Sequence, residues 1–143
     1  MRAITWAMLL TAAILILLSG CTTPEPRGTL RPCDVVFFNT DGKNVARATF
    51  FLPPLGPAAS RFTGTWQLHS SERGFPDIGV APGTYAAETT NDIWRINLNP
   101  RAEENNVILL AHIRENVLAG QWLYRTRSGE RVLGTFHPAP PGR

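Results

Sequence analysis

Val107-Ile108-Leu109-Leu110-Ala111-His112-Ile113-Arg114, then Glu115-Asn116, then Val117-Leu118-Ala119-Gly120-Gln121-Trp122-Leu123-Tyr124-Arg125-Thr126: these twenty residues decide the fold. Two apolar-rich segments of strand length flank a two-residue turn, the arrangement of a β-hairpin. Folding the chain at Glu115-Asn116 opposes Arg114 with Val117, Ile113 with Leu118, Ala111 with Gly120, Leu109 with Trp122 and Val107 with Tyr124. From Ile113 onward the alternate pairs on this face are all apolar or small. A one-residue slip would turn every strand over, so the agreement fixes the register as well as the hairpin.

The same test works at two other turns. Around Asn91-Asp92, Thr89 meets Trp94, Ala87 meets Ile96 and Tyr85 meets Leu98. Around Asp41-Gly42, Phe37 meets Ala46, Val35 meets Ala48 and Cys33 meets Phe50. At the last hairpin, a three-residue Ser128-Gly129-Glu130 loop is preferred over a two-residue one, because it pairs Tyr124 with Gly134 and Trp122 with Phe136. Period-2 alternation predicts eight strands: Asp34–Asn39, Val45–Leu52, Gly64–Ser70, Thr84–Thr90, Ile93–Leu98, Val107–Arg114, Val117–Thr126 and Arg131–His137. No amphipathic helix is legible. The expectation is an all-β domain, a small antiparallel up-and-down barrel, with a β-sandwich of the same strands as the alternative.

A Gly-X-aromatic unit recurs at Gly64-Thr65-Trp66, Gly83-Thr84-Tyr85, Gly120-Gln121-Trp122 and Gly134-Thr135-Phe136. Glycine and ring share a strand face, so the ring fills space beside a close backbone approach. Phe62-Thr63-Gly64-Thr65-Trp66 and Pro82-Gly83-Thr84-Tyr85 resemble the opening strands of avidin-like and lipocalin-like (calycin-type) barrels. That resemblance covers Phe62 to His137. It implies a barrel but no biotin site, because Gln67 and Leu68 follow Trp66 where avidins carry polar biotin ligands. Trp66, Tyr85, Trp94, Trp122, Tyr124 and Phe136 are the expected interior residues, bulky enough to fill most of so small a barrel.

The rest of the chain places this domain. Of 143 residues, 43% are hydrophobic and 17% charged, enough for one domain and unlike a disordered chain. Part of the apolar excess lies in Ala3 to Leu18, an uncharged run behind Arg2. As helix it would rise about 24 Å, short of a ~30 Å hydrocarbon core, which reads as an export signal. Leu18-Ser19-Gly20-Cys21 resembles the bacterial lipobox, which implies cleavage before Cys21 and a diacylglycerol on its sulfur. An ordinary signal peptide and an uncleaved anchor are the alternatives. By the same resemblance Thr22, in place of Asp, favours the outer membrane in a Gram-negative envelope.

Residues 1–20 are thus expected to be the signal, 21–32 a Pro-rich tether, 33–138 the barrel and 139–143 a tail. Taking twenty from 143 leaves 123 residues, and losing Arg2 lowers the formal charge from +3 to +2. With no basic cluster, this argues against a nucleic-acid partner. An acylated Cys21 leaves Cys33 without a disulfide mate, so Cys33 is expected as a small buried hydrophobe, or else as a reactive thiol.

No catalytic or cofactor motif is present, and His69, His112 and His137 lack metal-ligand spacing, so neither a catalytic residue, a cofactor nor a metal is expected. Two further features exceed the needs of a plain barrel. The connection from Ser71 to Gly83, with Arg73, Phe75 and Asp77, is a lid or an ordinary crossing. On the outward face Ile108 opposes Leu123, with Leu110 and Leu133 near, either a patch for a partner or a surface covered by the Pro53-Pro54-Leu55 loop or the tail. The expected function is a lipid-anchored, non-catalytic envelope barrel that binds a small molecule or scaffolds. The alternative is a protein-interaction module, such as an inhibitor or accessory subunit.

Overall fold

The computed structural model describes residues 28–78, 82–115 and 117–141; the expected export signal, Cys21 and Asn116 lie outside the described residues. Eight antiparallel strands follow one another around a closed barrel: β1 (Arg31–Asn39), β2 (Asn44–Leu52), β3 (Arg61–Ser71), β4 (Gly83–Thr90), β5 (Ile93–Asn97), β6 (Asn106–Arg114), β7 (Val117–Thr126) and β8 (Gly129–Pro138). Closure comes from β1 pairing with β8, Val35 opposite Pro138 through Asn39 opposite Gly134. Closure leaves no open sheet edge and excludes the sandwich.

The registers follow the alternation. Arg114–Val117, Ile113–Leu118, Ala111–Gly120, Leu109–Trp122 and Val107–Tyr124 are opposed, as are Cys33–Phe50, Val35–Ala48 and Phe37–Ala46. Asn91 and Asp92 both have positive φ, 53° and 63°, the conformation that lets two residues join twisted strands. The ladder of that hairpin runs from Thr90–Ile93 to Ala86–Asn97 and stops short of Tyr85–Leu98. Asn97 ends the strand by accepting the Asn99 amide on its own side chain at 3.0 Å.

The last hairpin differs from expectation. Thr126 pairs with Gly129, so the turn is Arg127-Ser128, and Tyr124 faces Arg131 rather than Gly134. The extra residue sits farther along, where Trp122 faces Gly134 but Leu123 faces Val132, leaving Leu133 bulged. A bulge in the strand returns Gly134 and Phe136 to the inner face, the same result a longer loop was expected to give.

Both glycines of that region are dictated by contact. A Cβ on Gly134 would lie 1.8 Å from the Phe38 carbonyl oxygen, and one on Gly120 1.9 Å from that of Leu110. Only a residue without Cβ lets these strands approach so closely. The neighbouring indole then fills the space, and Trp122 Nε1 donates to the Phe38 oxygen at 2.8 Å.

Inside, rings form a nearly continuous stack. Phe37 lies 5.7 Å from Phe136 and 6.0 Å from Trp122. Farther along the axis Phe50 lies 6.2 Å from Trp66 and 5.8 Å from Tyr85, and Phe62 lies 4.8 Å from Trp94. The inward positions are apolar and packed, unlike the polar lumen of a membrane-spanning barrel.

Candidate functional site

The barrel has two ends of different character. At the N-terminal end β1 begins, β8 finishes, and the connections 53–60, 91–92 and 115–116 turn the chain. The opposite end holds the connections 40–43, 72–82, 98–105 and 127–128.

The opposite end is plugged. Phe75 leaves the β3–β4 connection and enters the barrel, 5.2 Å from Phe37 and 5.4 Å from Trp122. A tight turn aims it, with Phe75 N donating to Glu72 O at 3.1 Å and Glu72 N to Val45 O at 2.8 Å. Ile78 is buried beside it, and Asn99 Nδ2 holds the Ile78 carbonyl at 3.3 Å. Arg73 and Asp77, the other residues of the expected lid, are exposed. A cleft of about 310 Å³ lies beneath the connection, against Trp66, Leu68 and Phe75.

Of the expected interior residues, Trp66, Tyr85, Trp122 and Phe136 are fully buried. Trp66 Nε1 donates to Leu98 O at 3.0 Å and Tyr85 Oη to Phe51 O at 2.9 Å. Burial, and then the nearby Cys33, push the Tyr85 hydroxyl well above its ordinary pKa, so it stays a donor. Tyr124 is half-buried at the opposite mouth, its hydroxyl 3.3 Å from Asn105 Oδ1. Trp94 is different. It sits at the N-terminal mouth and lines an open cup of about 360 Å³ with Leu55, Ala59 and Ile113. Asp92, His112 and Arg114 stand on the rim.

Local hydrogen bonds fix this cup. Thr89 N donates to Ser60 O at 3.0 Å, tying the 53–60 connection to β4. Ala59 N donates to Gly56 O at 3.0 Å, which folds Leu55 back towards Trp94. Trp94, Leu55 and Ile113 give the cup a small apolar floor within a mainly polar lining that carries both charge signs, which suits a small molecule with a short apolar part and a polar head. The volume lies at the small end of ligand sites, about 300–1,000 Å³.

The outer wall holds a larger groove of about 630 Å³ between Arg61, Glu88, Arg95 and Arg125. Two of its three cations are already engaged: Arg95 and Arg125 both bond Glu130, Arg125 Nε at 2.8 Å. The Arg95–Glu130 pair joins β5 to β8, so it passes over β6 and β7 where Ile108 and Leu123 are opposed. Ile108 is 0% and Leu123 7% exposed, so this row is no open patch. Its cover is neither the 53–60 connection nor the tail, which lie at the other end.

One arrangement escaped the sequence. Thr49 Oγ1 donates to Asp34 Oδ1 and lies 2.6 Å from His69 Nε2 across the outer faces of β1, β2 and β3. The hydroxyl has one proton and gives it to Asp34, so His69 Nε2 must be the donor to Thr49. Thr49 is itself buried. The chain ties three strands together. Asp34 opposite Thr49 was implicit in the β1–β2 register, but His69 arrives through a register shift in β3 that no pattern marks. Among the described residues no group of three or more potential metal ligands occurs.

No family model, curated protein or solved structure matches the chain.

Proposed function

We propose that the protein is a lipid-anchored, non-catalytic component of a bacterial cell envelope whose barrel binds a small amphiphile in the cup at its N-terminal end. The observation that carries this reading is the contrast between a barrel filled by rings and plugged by Phe75 and an open mouth floored by Trp94, Leu55 and Ile113. A ligand cannot enter the interior without displacing about ten buried contacts per side chain, whereas the cup needs no rearrangement. The anchor rests on the Leu18-Ser19-Gly20-Cys21 pattern, and Thr22 favours an outer-membrane location in a Gram-negative cell.

The test is a titration of the chain lacking residues 1–21 with dodecanoate and with dodecylphosphocholine below its micelle concentration, followed by tryptophan emission. Binding is expected, and Trp94→Ala should weaken it about tenfold, equivalent to the loss of roughly 1.4 kcal/mol of apolar contact. No saturable response with either probe, or equal affinity in Trp94→Ala, would count against the cup as a binding site.

A further inference from the structure

We infer that the N-terminal end of the barrel rests on the lipid bilayer, with Leu30, Ile93 and Val117 set into the headgroup region. The inference deepens the proposed function and rests on its reading of Cys21 as the anchor.

Soluble domains leave large apolar side chains exposed singly and at scattered places. Among the described residues four such side chains are exposed, and three share one end: Leu30 at 49%, Ile93 at 41% and Val117 at 46%. Each stands where the chain enters a strand: Leu30 just before β1, Ile93 opening β5, Val117 opening β7. They come from three separate connections, so the fold and not a local run brings them to one rim.

The two ends also differ in charge. Charged residues mark every connection at the opposite end, from Asp41 and Lys43 through Arg73, Arg101 and Glu103 to Arg127. At the N-terminal end the connection Pro53-Pro54-Leu55-Gly56-Pro57-Ala58-Ala59-Ser60 has none, nor does Pro138 to Pro141. Its turns carry only Asp92 and Glu115. Arg61 and Arg114 stand at strand ends around the rim, where long stems let guanidinium groups reach phosphates while apolar neighbours go deeper.

The length of chain outside the barrel points the same way. A Cβ on Gly28 would lie 2.1 Å from Cγ of Pro54, so the chain leaves the barrel across its N-terminal end. From Cys21 to Leu30 are nine peptide steps, a reach of at most about 30 Å. An acylated Cys21 therefore holds this end close to the bilayer, and even weak insertion of three side chains becomes effective at such local concentration. The cup then opens onto the membrane, and its ligand class is the lipid-borne amphiphile.

The test uses the full chain made in a bacterial envelope, purified and reconstituted into phosphatidylethanolamine–phosphatidylglycerol vesicles. Intact mass reports the acyl chains on Cys21. An environment-sensitive fluorophore is placed at position 117 (Val117→Cys) or, at the other end, at position 128 (Ser128→Cys). The expected result is a blue shift and quenching by nitroxide lipids at 117, with water-like emission at 128. Adding Leu30→Glu and Ile93→Glu should abolish the shift at 117 while native tryptophan emission is retained. Water-like emission at both positions in an acylated chain overturns docking and leaves the anchor standing. A shifted label at 117 without vesicles assigns the face to a second copy of the chain and also overturns docking. If Cys21 carries no acyl chain the anchor falls, and the labels are then read in the Cys21→Ser chain with added vesicles. A shift confined to 117 there supports docking, and its absence overturns it.

Discussion

The ring of Phe75, carried by a connection, lies 5.2 Å from that of Phe37 on β1, edge to face. A second contact at 5.4 Å joins it to Trp122 on β7. Phe75 is thus part of the core although it belongs to no strand. Replacing it should expose Phe37 and Trp122 at the mouth. Phe75→Ala is expected to lower unfolding free energy by about 3 kcal/mol, and Phe75→Leu by about 1 kcal/mol. Urea unfolding followed by far-UV dichroism measures both. A loss below half a kcal/mol in Phe75→Ala would mean a lid that opens freely in solution, on the order of a surface substitution.

Gly120 and Gly134 should tolerate no side chain. The displaced atoms would be the backbone oxygens of Leu110 and Phe38, which cannot rotate away as a side chain can. Gly134→Ala and Gly120→Ala are each expected to cost about 3 kcal/mol or more. Gly56→Ala is the control, since nothing lies within 4 Å of its added methyl. Thermal unfolding of the three variants should separate the first two from the third.

Glu130 should make stability fall in acid. Burial works to raise its carboxyl pKa, but hydrogen bonds and charge from Arg95 and Arg125 outweigh that and hold it below the ordinary 4.5. A lowered carboxyl contributes stability that is complete above 4.5 and is lost as pH falls through the lowered value. The three side chains are partly solvated, so the contribution is about 1 kcal/mol and declines with salt. Glu130→Gln should differ from the parent by that amount at pH 7 and match it at strongly acid pH. A difference that persists unchanged in acid would mean packing, not charge, holds the strap over Ile108 and Leu123.

Cys33 should be chemically quiet. Burial pushes its thiol pKa up, a hydrogen bond with the Leu118 backbone pulls the other way, and the charge of Asp34 adds to the rise. Little thiolate forms at neutral pH, and the sulfur is out of reach. In the Cys21→Ser chain, a maleimide at pH 7 should leave Cys33 unmodified until urea is added. Rapid labelling of the folded protein would restore the reactive reading.

Much of the barrel was legible because its two faces differ so sharply. The Leu109–Trp122 and Ala87–Ile96 pairs follow from alternation and turn length alone. Where a bulge interrupts the alternation, the pattern gives only the net result. Phe136 was expected inward and is, yet the extra residue is Leu133 in the strand rather than a turn residue. Ile108 reads as an exposed apolar position because its cover, the Arg95–Glu130 pair, is assembled from β5 and β8, the strands on either side of the β6–β7 hairpin. Exposure of a long-range kind is invisible to pairwise register. The cup was equally hidden, because Trp94 lies on the inner face like Trp66 and only its height on the barrel makes it a mouth residue.

The most direct measurement follows the three indole N–H resonances of the chain lacking residues 1–21 during titration with monomeric dodecylphosphocholine. Trp66 and Trp122 have their N–H groups bonded to the carbonyls of Leu98 and Phe38 inside the barrel, while Trp94 floors the cup. A filled barrel with a binding mouth predicts a saturable shift of Trp94 and stationary Trp66 and Trp122. Movement of Trp122 with Trp94 unmoved would contradict it, placing the ligand behind Phe75 in an interior that opens.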